Sequence, residues 1–438
     1  TIIEKNNEKI KLIKGAPDIV IKNSTHYIDK DGKRRTLDKD KILNYVNSKA
    51  DSGLRAIALA ISQSIYPTDS IRRNILLGVI FLKDDIRPEA KDGVSLIKSA
   101  GINIVMVTGD SKETATSIAK EIGIITSNND IVLSSSDLER LSDNELKKII
   151  PNLKVVSRAL PEDKKRLVML SKELGLVTGM TGDGVNDSIA LKKADVSFAM
   201  GSGTEVSKEA SDIVIIDDNI LSISRAILYG RTTFKNIRKF IIFQLTVNIS
   251  AIMLALIGPF IGVLQMLWIN MVMDTLAGLA FSYEVPRIEY MKEPPKKKEE
   301  NIINKYMFNE IIATSMYTLI ISLLFLKLPF IKYIVYSDHL MTAFFSLFIF
   351  IAVFNSFNAR THRLNILAHL KENKVFILII IFIIIVQIII IYSGITLFQT
   401  KPLYIKELIF ILILSLSIIP FDFLRKYISK KLRGDFGV

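Results

Sequence analysis

Thr178-Gly-Met-Thr-Gly-Asp-Gly-Val-Asn-Asp187 sets two carboxylates four residues apart in a glycine-rich turn, behind the apolar pair Leu176-Val177. Gly182 and Gly184 let the backbone approach a ligand closely, and the stretch from Asn186 to Lys193 has the composition of a following helix. Asp183 and Asp187 are hard oxygen donors on a short bent segment, which suits a magnesium ion that keeps several waters and bridges to phosphate. Taken alone, the same two residues also serve as an ordinary turn former and an aspartate near a helix N-terminus.

Three further segments give the turn a context. Ile104-Val-Met-Val-Thr-Gly-Asp110 is a second apolar strand, followed by a helix-like stretch from Lys112 to Ile122. The Thr108-Gly109-Asp110 junction leaves backbone N–H groups and the Thr108 hydroxyl free to hold phosphoryl oxygens. Val155-Val-Ser-Arg-Ala-Leu-Pro161 is a third strand, after which Pro161 opens a helix with Lys164 in its first turn. A lysine there offsets negative charge during phosphoryl transfer. Thr108, Arg158 and Lys164 are each ordinary surface residues in isolation, and their order on successive strand ends makes the set specific. Asp195-Val-Ser-Phe-Ala-Met200 and Asp212-Ile-Val-Ile-Ile-Asp217 add two strands around a Gly201-Ser-Gly-Thr204 turn. The alternation from about residue 84 to 224 predicts an α/β, Rossmann-like parallel sheet with ligands at the carboxyl ends of its strands. No Gly-x-Gly-x-x-Gly follows a strand, which argues against a dinucleotide-dependent dehydrogenase.

Beyond residue 235 long apolar runs replace this alternation. Six spans are predicted, at 240–263, 264–283, 308–326, 341–357, 375–392 and 403–424, each at or near the ~20 residues that cross a bilayer. The fourth is the shortest. Lysines and arginines crowd the loops 286–307 and 358–374 and the tail after residue 424, which places those segments and both ends of the helical region inside. Much of the net charge of +13 is this bias, and the rest forms no clustered basic face, which argues against a nucleic-acid partner. Zero cysteines exclude disulfides and thiolate metal sites, and the four histidines show no zinc spacing.

Polar groups are costly in lipid, so those inside the spans mark function. Asn270 and Asp274 stand four residues apart on one expected helical face of the second span, and Asn248 lies near the middle of the first. Asn248 alone reads equally as an interhelical hydrogen-bonding group. Ala277 and Gly278 beyond Asp274 permit close packing or local unwinding.

Lys14-Gly-Ala-Pro-Asp18, Val107-Thr-Gly-Asp110, Thr181-Gly-Asp-Gly-Val-Asn-Asp187, Ala199-Met-Gly201 and Leu267-Trp-Ile-Asn-Met-Val-Met-Asp274, in this order, closely resemble the P-type cation-transporting ATPases. The resemblance covers essentially the whole chain. It implies a haloacid-dehalogenase-type phosphorylation domain at 84–225, the second half of an α+β nucleotide-binding domain at 1–83, and a stalk with an all-α region of six transmembrane helices at 226–438, equivalent to helices five to ten of the family. It further implies that Lys14, with Gly15 beside it, lies near the adenine of ATP and that Arg55 and Arg158 serve the nucleotide. Thr108, Gly109, Asp110, Lys164, Asp183, Asn186 and Asp187 would form the catalytic set around Mg2+. Asn248, Asn270 and Asp274 would hold the transported cation.

Departures sharpen the expected cargo. Ala251 and Ala352 stand where two-site reticulum-type calcium pumps carry glutamates, and the second span is closer to the plasma-membrane calcium pumps, which implies one Ca2+ per cycle at the plasma membrane. The lack of cysteine argues against a soft-metal pump. Manganese or a monovalent cation is the alternative cargo. The family's nucleophilic Asp-Lys-Thr-Gly, its actuator Thr-Gly-Glu and its fourth-helix Pro-Glu-Gly do not occur. The expectation is a C-terminal part that depends on an N-terminal part of the same pump and does not turn over ATP alone. A non-catalytic membrane fragment remains a further reading, as does a soluble-type phosphatase, which leaves the six spans unexplained.

Overall fold

The structure, a computed structural model, describes residues 2–5, 8–50, 54–62, 74–82, 85–393 and 398–433. The chain divides into two compact units, Thr1–Ala226 with Pro294–Lys298, and Ile227–Glu293 with Glu299–Val438. The boundary expected near residue 83 falls on Lys83 and Asp84, outside the described residues.

With strands numbered along the chain, a six-stranded sheet in the first unit has the order β1 (Ile2–Lys5), β2 (Glu8–Gly15), β5 (Arg55–Ser62), β6 (Asn74–Leu82), β3 (Ser24–Ile28), β4 (Arg34–Thr36). All its neighbours are antiparallel except β3 with β6. The two-residue period of β5 turns Ala58, Ala60 and Ser62 to the covered face. Their small side chains let the helix Pro17–Lys22 pack close through Val20 and Ile21.

The rest of this unit holds two three-stranded parallel sheets. One is β7 (Met106–Val107), β9 (Leu153–Ser157), β8 (Ile131–Ser134), and the other is β10 (Gly179–Gly182), β11 (Val196–Met200), β12 (Ile213–Ile215). The single sheet expected from the sequence is thus divided into two three-stranded sheets among the described residues. Leu176 and Val177 lie outside β10 and are 46% and 52% exposed. The ladder begins only at Thr178, whose N–H donates to the Asp195 carboxylate at 3.0 Å and whose carbonyl accepts from the Asp195 N–H at 2.9 Å. β8 was not anticipated. It runs into the helix Ser135–Arg140 through a reciprocal cap between Ser134 and Asp137.

Asp195 also accepts from Lys172 at 3.2 Å and from Lys298 at 3.0 Å, which draws 294–298 into this unit. Burial pushes the Asp195 carboxyl up, but the Thr178 N–H and the two ammonium groups outweigh it and hold it below the usual carboxylate value. A depressed folded pKa stabilises above the unfolded value of about 3.9 and is lost as pH falls through the folded value. Asp195→Asn should therefore lower the thermal midpoint of the protein at neutral pH, by roughly 2–4 °C, and flatten its fall below about pH 4. An unchanged midpoint and acid limb would remove Asp195 from the account.

Among the described residues six helices, each wholly or mostly in the second unit, are long and apolar enough to cross a membrane: Ile220–Ile257, Val263–Ser282, Lys305–Lys327, Ser337–Arg360, Lys374–Tyr392 and Ile405–Lys431. All six expected spans fall within or against these. The one that looked shortest is the most enclosed, 78% buried against 28–44% for the others. It continues to Arg360, beyond its expected end, and packs Phe344, Phe345, Phe348 and Phe350 into the centre of the bundle. A helix surrounded by protein needs less lipid-facing length than its neighbours. Two spans are irregular. The second contains a π-turn at Trp268–Met273 before Asp274–Ser282, and the last is broken at Ser417 between Ile405–Leu416 and Ile418–Arg433.

Candidate functional site

The loops after β7, β9 and β10 meet at the carboxyl ends of their parallel strands, where backbone N–H groups are unspent. Thr108 and Arg158 sit in neighbouring loops stitched by main-chain bonds, from Thr108 N–H to Val156 C=O (2.9 Å), Ala159 N–H to Thr108 C=O (2.9 Å) and Arg158 N–H to Asp110 C=O (3.0 Å). The Thr108 hydroxyl donates to Asp110 Oδ2 at 3.0 Å and accepts from the Asp110 N–H at 3.2 Å. Gly109 is exposed, with open space where a Cβ would stand. Arg158 adopts a left-handed backbone at φ 50°, a strained conformation for arginine. Its guanidinium lies 3.9 Å from Asp18, in the first turn of the helix Pro17–Lys22. Both partners of this pair are well exposed, so it contributes little.

The two carboxylates of the opening turn are not equivalent. Asp187 is 4% exposed, takes Lys164 Nζ on Oδ1 at 2.6 Å, and accepts the N–H groups of Asp183 (3.2 Å) and Gly184 (3.3 Å) on Oδ2. It braces the turn and fixes Lys164 in the first turns of the helix Pro161–Glu173. Asp183 and Asn186 are exposed. The main chain of Asp183 is pinned instead: its carbonyl accepts from Thr204 N–H (2.8 Å) and the Ser207 hydroxyl (3.2 Å). Gly182 makes this closeness possible, because a Cβ there would stand 2.5 Å from Asp187 Cβ. Among the described residues no three His, Cys, Asp or Glu side chains gather as a metal site.

Lys14 is exposed at the end of β2, and a Cβ on Gly15 would press on Val20 Cγ2 at 3.2 Å. Arg55 opens β5 and its side chain lies outside the described residues.

In the second unit Asp274 is 3% exposed, and neither carboxylate oxygen has a hydrogen-bond partner among the described residues. Asn270, inside the π-turn, is exposed, and Asn248 is half-buried. The face that a regular helix would give to Asn270 and Asp274 together is thus divided, with only the aspartate turned inward.

Residues 258–428 match the family described as cation transporting ATPase, C-terminus, and residues 12–195 match the haloacid dehalogenase-like hydrolases. The chain is 37% identical to calcium-transporting ATPase 7, plasma membrane-type, of Oryza sativa subsp. japonica, over 83% of this chain and 37% of that protein. It is 33% identical to calcium-transporting ATPase PAT1 of Dictyostelium discoideum, over 98% of this chain and 43% of that one. Calcium-transporting ATPase 8, plasma membrane-type, of Arabidopsis thaliana is 34% identical over 86% of this chain and 38% of its own length.

The chain belongs to the P-type cation-transporting ATPases.

It spans 37–43% of the length of these relatives. Six helices able to cross a membrane, among the described residues of a member of this family, support a multi-pass membrane protein. The family sequence pattern did not reveal two buried charge clusters in this ATPase chain. Glu284 takes Lys239 (3.2 Å), Arg360 (3.2 Å) and the Asn373 amide (3.1 Å), joining four helical elements. Glu310 takes Arg425 at 3.2 Å, while Asp422 takes Arg425 and Lys426 at 2.7 Å each. Arg360 and Lys426 had been counted among loop and tail charges, yet they are 1% and 3% exposed. The only available signal was their position against helix ends, where a long basic side chain can turn inward as easily as outward.

Proposed function

We propose that this chain is the cation-binding and part of the phosphoryl-handling machinery of an ATP-driven calcium exporter that works through an aspartyl-phosphate. Residues 1–83 are then the C-terminal half of the nucleotide domain, 84–225 the phosphorylation domain, and 226–438 the stalk and last six membrane helices. The nucleophile comes from an N-terminal part of the pump, on a strand that fits between β7 and β10. Thr108, Gly109 and Asp110 receive the phosphoryl oxygens, Lys164 neutralises them, and Asp183 with its open carboxylate is the direct Mg2+ ligand. Mg2+ supplies charge neutralisation at the transferring phosphoryl group. Asp187 holds Asp183 and Lys164 in register, and Asn186 lines the same mouth. Lys14, Gly15, Arg55 and Arg158 serve ATP. The basic loops face the cytoplasm, at the plasma membrane.

The observation that carries the reading is Asp274, a buried carboxylate with no hydrogen-bond partner among the described residues, beside a π-turn in a membrane helix. An isolated charge in such a place is tolerated where it meets a cation. Asn248 and Asn270 complete the oxygen set for Ca2+, with one ion per cycle. In the intact pump, Ca2+ should stimulate phosphoenzyme formation from ATP where Mn2+ and K+ do not. Phosphorylation indifferent to Ca2+ would end the calcium assignment.

A further inference from the structure

Loop 201–204 joins β11 to the short helix Glu205–Glu209, and it is wedged between two other segments of the first unit. On one side is the turn that carries Asp183: a Cβ on Gly203 would stand 3.0 Å from the Asp183 carbonyl oxygen and 2.9 Å from that of Met200. On the other is the connection from β12 to the helix Ile220–Ile257, where a Cβ on Gly201 would stand 2.7 Å from the Ile216 carbonyl oxygen. Only glycine fits at either point, so the loop has no slack between its neighbours.

Main-chain bonds hold both sides. Thr204 N–H and the Ser207 hydroxyl grip the Asp183 carbonyl, as described above, and Ser207 is itself fully buried. At the other end Gly201 N–H donates to Ile215 C=O at 2.8 Å, and Ser202 N–H donates to Asp218 Oδ1 at 3.1 Å. Asp218 stands at the joint, just before the helix Ile220–Ile257, with a left-handed backbone at φ 53° that aspartate tolerates better than most residues. Its own carbonyl accepts from Arg87 Nη1 at 3.1 Å. Hydrogen bonds from the Ser202 hydroxyl and N–H hold its carboxyl below the usual carboxylate value, so it is ionised at neutral pH. Among the described residues it bonds to none of the side chains assigned above to phosphate or Mg2+.

We propose that Asp218 is a positioning residue for the Mg2+-bearing turn: its carboxylate fixes loop 201–204, and that loop fixes the main chain of Asp183, so that Asp183 meets the cation without rearrangement. A metal ligand is only as well placed as the groups that hold it, and the loss of such a support commonly weakens metal binding tenfold or more. The proposal rests on the reading of Asp183 as the Mg2+ ligand, but the hold on the turn is measurable without the metal.

The test uses the intact pump. Asp218→Gly removes the carboxylate and keeps the φ of 53° at no steric cost. Amide exchange without nucleotide or Mg2+, followed by mass spectrometry over 181–187 and 200–207, should quicken about tenfold in both stretches, because a hydrogen bond to a charged acceptor is lost. The Mg2+ concentration for half-maximal Ca2+-dependent phosphorylation should rise about tenfold, with that of ATP unchanged. Asp218→Asn keeps an acceptor for the Ser202 N–H and should stay within about threefold of wild type in both readouts. Asp217→Gly removes the neighbouring carboxylate, which bonds the Asn219 N–H at 3.3 Å and the Ser222 hydroxyl at 2.7 Å, and should move neither. Exchange that quickens in neither stretch, or that quickens equally with Asp217→Gly, overturns the hold on the turn. Quickened exchange with an unmoved Mg2+ response overturns the positioning role. If Asp183→Ala kept phosphoryl transfer, the Mg2+ reading would fail on its own, and the exchange result would still decide whether Asp218 holds the turn.

Discussion

Asp274→Asn should abolish calcium-stimulated phosphorylation in the intact pump and make the protein more stable. The side chain keeps its shape and loses its charge. In the absence of cation the wild-type carboxylate sits 3% exposed with no partner on either oxygen among the described residues, so neutralising it removes a burial penalty of about 1–3 kcal/mol. The thermal midpoint without Ca2+ should rise by roughly 2–10 °C. In the presence of Ca2+ the balance reverses, because the cation loses the charge that offsets its own desolvation, a loss of about 3–5 kcal/mol, or about 10²–10⁴ in affinity. The two effects have opposite signs, which separates a binding residue from a structural one. A midpoint that falls, with calcium response retained, would make Asp274 a packing residue.

Asp187→Ala and Asp183→Ala should fail in different ways. Removing Asp187 leaves Lys164, only 19% exposed at its side chain, without its carboxylate, and frees the N–H groups of Asp183 and Gly184 inside a tight turn. A cost of about 3 kcal/mol is expected, and with it a fall of roughly 6–12 °C in the thermal midpoint. Gly182→Ala should follow the same course, since its new Cβ would collide with Asp187 Cβ at 2.5 Å. Asp183→Ala removes an exposed carboxylate whose main chain is held by Thr204 and Ser207, so the midpoint should move by less than about 2 °C while phosphoryl transfer is lost. If Asp187→Ala left the midpoint untouched, Asp187 would be a ligand and no brace.

These contrasts mark where sequence stops. Thr108, Arg158, Lys164 and Asp183 could be placed at strand ends because the alternation of apolar runs and glycine turns is local, and so could the six spans. The sequence presents Asp183 and Asp187 as a matched pair, however, and only the packing of Lys164 against one of them breaks the symmetry. Arg360 reads as a loop charge because its burial depends on Glu284, 76 residues away. The division into two parallel sheets is equally silent, since a local apolar pattern places a strand without naming the strand it pairs with. The π-turn left one trace only, the Ala277-Gly278 pair that permits irregular packing nearby.

That π-turn gives the second membrane helix a built-in stroke. Trp268–Met273 stores one residue more per hydrogen-bonded ring than an α-turn would, and each backbone N–H there has a second carbonyl one residue closer. Exchanging partners by one step would advance the helix beyond it by about 1.5 Å and turn it through about 100°. Asp274, the first residue past the turn, would swing from the bundle interior toward another face without any bend in the helix axis. A ratchet of one residue in the main chain would therefore carry a charge from one environment to another, with the hydrogen bonds of the turn exchanged and none lost.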